Sequence, residues 1–180
     1  QVCRGRQRRR HGWHPAHEKE LILYERTQSI LSVPALGEVR APASRRRARV
    51  VTLQVLYELD EAKHDPVRAL ENRLMEASLS PSAEAYARKL IDGVLQNLTE
   101  IDMSISTYAP AWPISQMAML DRNILRVAIF EILIGRDAPP KVAINEAVEL
   151  GKVFGADSSP RFINGVLGSL MADAEAKSKP

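Results

Sequence analysis

From Ser44 to Leu170 the apolar residues return at intervals of three and four, and no stretch alternates with a period of two. Such intervals average to the 3.6-residue turn of a helix, so each segment buries one stripe and leaves the opposite face wet. The chain is thereby held to an all-α architecture, and its 5% aromatic content agrees with a lack of strands. A first helix is expected over about 44 to 62, with Ala48, Val51, Val55 and Leu59 in line and Leu56 beside them. Asp65-Pro66 starts a second, an N-cap followed by a ring that suits the first helical position, with Val67, Leu70, Leu74 and Ala77 inward. Ser80-Pro81 repeats the device for a third, longer helix carrying Ile91, Val94, Leu98, Ile101 and Ile105, ended by Pro110 and Pro113. A fourth, about 114 to 134, is apolar over most of its circumference and should be central, closed by Gly135. A fifth presents Ala143, Ala147, Leu150 and Phe154, and Ser159-Pro160 opens a sixth with Ile163, Val166, Leu167 and Leu170 inward. Six helices with short loops make two small helical-bundle subdomains, about 44–110 and 111–175.

Residues 1–43 show no sustained period and read as a disordered basic extension, with Pro34, Gly37 and Pro42 at its end. The chain starts at Gln1 and its first methionine is Met75, so one reading places the native start at a non-standard codon near Val33 or Val39. Charge divides similarly. Residues 1–49 hold twelve Lys and Arg against four acids, whereas residues 50–180 hold thirteen against eighteen, so the total of +3 hides a basic front on an acidic body. That asymmetry suits a polyanionic partner, a solvated cationic tail being the plain alternative. Arg45, Arg46, Arg47 and Arg49 crowd the first turn of the first helix, where cations oppose the helix dipole at about 0.3–1 kcal/mol each. A feature that costs local stability there points to an anion. Arginine grips phosphate with two bonds, and Tyr57, about two turns on, could stack on an unpaired base or simply be a half-buried core residue.

Other chemistry is sparse. Cys3 is alone, which gives neither a disulfide nor a thiolate zinc site and fits a reducing cytoplasm. No apolar run approaches the ~20 residues that cross a bilayer, residues 124 to 134 being broken by Arg126 and Glu131, and no secretory signal is evident. His11, His14 and His17 are spaced for a metal only on a helix that their segment does not predict, and His64 falls in a loop. Gly165 and Gly168 lie in a continuous helical pattern, so helix packing is expected of them, not a phosphate clamp. Asp121 and Glu131 accompany Arg122 and Arg126 on the fourth helix, as surface ion pairs would. No catalytic base, metal or cofactor is expected.

Taken in order, Ser44-Arg-Arg-Arg-Ala-Arg49 leading into Leu53-Gln-Val-Leu-Tyr57, then Asp121-Arg-Asn-Ile-Leu-Arg-Val-Ala-Ile-Phe-Glu131, then Pro140-Lys-Val-Ala-Ile-Asn-Glu-Ala-Val-Glu-Leu150, Phe154-Gly-Ala and Arg161-Phe-Ile-Asn-Gly-Val166 resemble the NusB family of transcription antitermination factors. The resemblance runs from about Ser44 to Leu170. It implies an all-α protein without catalytic activity that pairs with the ribosomal protein NusE and binds boxA-type single-stranded RNA in nascent ribosomal RNA transcripts. The setting it implies is the RNA polymerase antitermination complex in the cytoplasm, with a homodimer as the family's alternative assembly. It further implies RNA contact at Arg45, Arg46, Arg47 and Arg49, with Tyr57 nearby, and at Lys152, Arg161 and Phe162. A protein-partner surface on the fourth helix would include Asp121, Phe130 and Glu131. The long extension and Pro160, where a polar residue is common, depart from the family's pattern. The alternative is a stand-alone domain related to the accessory domain of an rRNA methyltransferase, although only ten residues follow Leu170. A DNA-reading helix-turn-helix fits less well, because a recognition helix exposes basic residues along a groove-facing surface and the later helices here are apolar or acidic.

Overall fold

The computed structural model describes residues 41–62 and 65–177. Residues 1–40 of the expected disordered extension, with its cysteine and three histidines, lie outside the described residues, as does His64; its last three residues, 41–43, instead open the first helix. Seven α-helices are present among the described residues and no strand. They are α1 (Ala41–Ala62), α2 (Pro66–Ala77), α3 (Pro81–Gln96), α4 (Leu98–Tyr108), α5 (Met119–Ile129), α6 (Pro140–Phe154) and α7 (Ser159–Lys177). A 3₁₀ turn, Ile114–Gln116, precedes α5, and a π-helical segment, Phe130–Gly135, continues it.

The expected starts of α2 and α3 hold. Asp65 accepts from the Arg68 amide at 3.0 Å and Ser80 from the Ala83 amide at 3.4 Å, each supplying an acceptor to an otherwise orphan N–H. Where one long third helix was expected, there are two. The Asn97 side chain donates to the Gly93 carbonyl at 2.7 Å and its backbone sits at φ −113°, ψ 19°, so the chain turns between α3 and α4. Of the inward residues Ile91, Val94, Ile101 and Ile105 are buried despite this break, whereas Leu98, at the start of α4, is only half-buried. Gly135 does not close the fourth helix: Arg136 takes the left-handed conformation, at φ 51°. Val67, expected inward, is 66% exposed, and Ala69 is buried in its place beside Leu70 and Leu74. Gly165 and Gly168 lie in α7, but a Cβ on either would meet nothing within 4 Å, so close packing does not require them.

α5 is the central element. Its Ile124, Leu125, Val127, Ala128 and Ile129 are buried, and it packs on α1, α4, α6 and α7. α1 also packs on α2 and α3, and is buried almost all round from Ala48 to Tyr57. The basic residues of α5 pair across helices and not along their own. Arg122 and Arg126 both reach Asp60 at the end of α1, at 2.9 and 3.2 Å, and Arg126 grips Asp102 of α4 with two bonds of 2.8 Å. The expected surface pairing with Asp121 and Glu131 is thus replaced by a partly buried network that ties three helices together.

Candidate nucleic-acid interface

α1 begins at Ala41, so the arginine cluster stands in its second turn and beyond. Because the dipole effect fades within one turn, its penalty is smaller than the sequence suggested. The cations are compensated from elsewhere in the fold. Arg49 is 2% exposed and meets Glu131, 1% exposed, through Nε–Oε2 and Nη2–Oε1 bonds of 2.9 and 2.7 Å. The Tyr86 hydroxyl donates to the same carboxylate and accepts from Arg49 Nη2 at 3.3 Å. Burial works against the Arg49 charge, but the bonds to Glu131 outweigh it and raise its pKa. The Tyr86 hydroxyl is pushed up by burial and by Glu131, so it remains a protonated donor.

The other three arginines reach outward from this anchor onto three different elements. Arg45 is exposed, lies over the Tyr86 ring at 5.0 Å and donates to the Asp137 carbonyl at 2.9 Å. Arg46 holds both oxygens of Glu146 on α6, at 2.9 and 2.7 Å. Arg47 donates to the Ala77 carbonyl at 2.6 Å, at the end of α2 where free carbonyls carry partial negative charge. A guanidinium has five N–H donors, and these bonds use at most two on each. The result is a fan of three cations with donors to spare, set on a rigid buried base.

The structure sorts the remaining expected residues into surface and interior. Lys152 is exposed and pairs with Glu149 at 2.7 Å, Arg161 is exposed, and Phe162 is half-buried. Phe162 meets Trp112 edge to face at 6.2 Å, and Trp112 is 58% exposed, an aromatic surface that no sequence motif marks. Tyr57, Phe130, Glu131 and Arg49 are interior residues in this fold, packed beneath the surface. Asp121 is also buried. Its Oδ1 lacks a hydrogen-bond partner, and burial lifts its pKa although a bond with Ser159 opposes the rise. Tyr86, Glu146 and Trp112 escape sequence reasoning because each takes its meaning from a residue distant in the chain. Among the described residues no group of His, Cys, Asp and Glu could hold a metal, and no helix is long and apolar enough to cross a membrane.

The NusB family model matches residues 46–172, which span every element from the arginine cluster to the middle of α7. The chain belongs to the NusB family. It is 44% identical over 137 residues to the transcription antitermination protein NusB of Roseiflexus castenholzii, covering 75% of this chain and 96% of that protein. Among solved structures it is similar to NusB of T. maritima, with 35% identity and a TM-score of 0.67 over 72% of this chain and 91% of that one. It is also similar to a chain from the crystal structure of antitermination factors NusB and NusE in complex with double-stranded RNA. There the identity is 26% and the TM-score 0.67, over 73% of this chain and 98% of that one.

Proposed function

We propose that this NusB-family chain is an RNA-binding transcription antitermination factor. It pairs with the ribosomal protein NusE, binds boxA-type single-stranded RNA in nascent ribosomal RNA transcripts, acts within the RNA polymerase antitermination complex in the cytoplasm, and catalyses nothing itself. The observation that carries this reading is the fan of Arg45, Arg46 and Arg47, three outward guanidiniums with unused donors at one end of α1. Phosphate accepts such donors in pairs, and single-stranded RNA adds bases that stack on aromatic faces. Lys152 and Arg161 extend the basic surface, Phe162 with Trp112 supplies the aromatic one, and Arg49 and Tyr57 hold the helix from within. Asp121, Phe130 and Glu131 shape the protein-partner face from beneath. The match over 96% of a relative's length favours this reading over an accessory domain of an rRNA methyltransferase.

The test is RNA binding measured with and without NusE, comparing boxA-like with scrambled single strands. A partner-enhanced preference for the boxA-like strand is expected, weakened by Arg46→Ala and Arg47→Ala, with the salt slope shallower by about 0.7 for each phosphate no longer neutralised. Equal affinity for both strands, untouched by the substitutions, overturns the reading. Sedimentation of the chain alone separates monomer from homodimer.

A further inference from the structure

Two carboxylates face the arginine cluster, and they do different things. Glu131 is wholly interior and gives both oxygens to Arg49, so that buried cation is already neutralised. Glu146 rises from the middle of α6 to the surface, where 17% of its side chain is exposed, and gives both oxygens to Arg46, whose side chain is 47% exposed. Its Oε2 also lies 3.6 Å from Nη1 of Arg49. A carboxylate fork on a guanidinium has the same two-oxygen geometry that a phosphate presents. Hydrogen bonding to Arg46 outweighs burial and holds the Glu146 carboxyl below the usual carboxylate range, so the fork is ionised at neutral pH. Glu149, one turn along α6, adds negative potential at Arg46. An RNA phosphate approaching Arg46 therefore meets an occupied guanidinium beside a charge that repels it.

We propose that Glu146 is an internal competitor for the RNA phosphate: it occupies Arg46 in the free protein and must be displaced, which sets the affinity threshold of the interface. The inference rests on the RNA-binding reading above. Since any strand that uses Arg46 meets the same competitor, Glu146 lowers affinity for boxA-like and scrambled RNA alike and leaves their ratio unchanged. It acts chiefly through Arg46, its charge and its approach to Arg49 adding a smaller effect.

The test is a cycle of Glu146→Gln and Arg46→Ala in the full chain, with NusE present, titrating boxA-like and scrambled single strands over a range of salt. Glu146→Gln should tighten both RNAs about two- to fivefold, the range spanned by exposed ion pairs, and steepen the salt slope by about 0.7. In the Arg46→Ala background the same substitution should give a clearly smaller gain, left by the loss of charge alone. Unchanged or weaker binding by Glu146→Gln overturns the proposal while leaving RNA binding intact, since Glu146 would then position Arg46 or touch RNA itself. An equal gain without Arg46 also overturns it, because the effect would be general charge. Failure of the unaltered chain to bind either RNA overturns the underlying reading and this proposal together. Glu146→Asp, one methylene shorter, gives a second readout by loosening the fork while keeping the charge; a smaller gain than Glu146→Gln is expected, and no gain counts against the proposal.

Discussion

Arg49 is bonded to Glu131 and Tyr86 in a site that water does not reach. Replacing Arg49 with Ala leaves the Glu131 carboxylate buried without its cation, and a loss of about 3–5 kcal/mol in urea unfolding is expected. Arg46→Ala, by contrast, removes an exposed pair and should stay within about 1 kcal/mol of the unaltered protein while weakening RNA binding. Stability and RNA titration measured on both variants therefore separate the anchor from the fan. Asp121 gives a pH-dependent counterpart. Its folded pKa lies above its unfolded value, so folding favours the protonated form and stability is lost as pH rises through the unfolded and then the folded value. Asp121→Asn should thus melt above the unaltered protein at pH 7, and the gap should close below about pH 4. The cluster of four arginines was legible in the sequence as a cluster. Its division into one anchor and three surface cations was not, because the deciding partners Glu131 and Glu146 lie 82 and 100 positions away.

At the scale of elements, the helix starts set by Asp65-Pro66 and Ser80-Pro81 were legible because capping is settled within four residues. The split at Asn97 was not, since the apolar spacing runs through it and the break lies in the Asn97 backbone, where side chain and amide share the Gly93 carbonyl. The switch to π-helix at Phe130 was equally hidden, and its first residue packs on α3, distant in the chain. The Phe130 ring lies against the backbone at Gly93, where an added Cβ would overlap the ring's Cζ and Cε2. Gly93→Ala should therefore cost about 1–3 kcal/mol by overpacking. In a double-mutant cycle with Phe130→Leu the combined destabilisation should fall short of the sum of the single effects, because the smaller side chain vacates the space the methyl needs. Additive effects in denaturant titrations would show that the ring is not the obstacle.

For the whole molecule, the two-subdomain division at Pro110 to Pro113 is a proposal that the packing qualifies. α4 lies before that boundary yet packs on α5 and α7, and α1 packs on α5 from the other side. With Asp60, Asp102 and Arg126 bridging the same helices, the two halves should unfold together. In a Trp13→Phe chain, which retains Trp112 alone, the denaturant transitions followed by helix content and by fluorescence should coincide. Two separated transitions would instead mark independent subdomains. The π segment also bears on how such a chain can change its length. Each residue advances an α-helix by about 100°, so the wider π turn acts as a phase slip between α5 and everything after it. Deleting one residue within 130–135 would restore α-helical phase to the helix, but the residues beyond the deletion would then face a different direction. The apolar pattern would survive such an edit almost unchanged; what would go is the alignment of α6, and with it the pairing of Glu146 with an arginine one hundred residues before it.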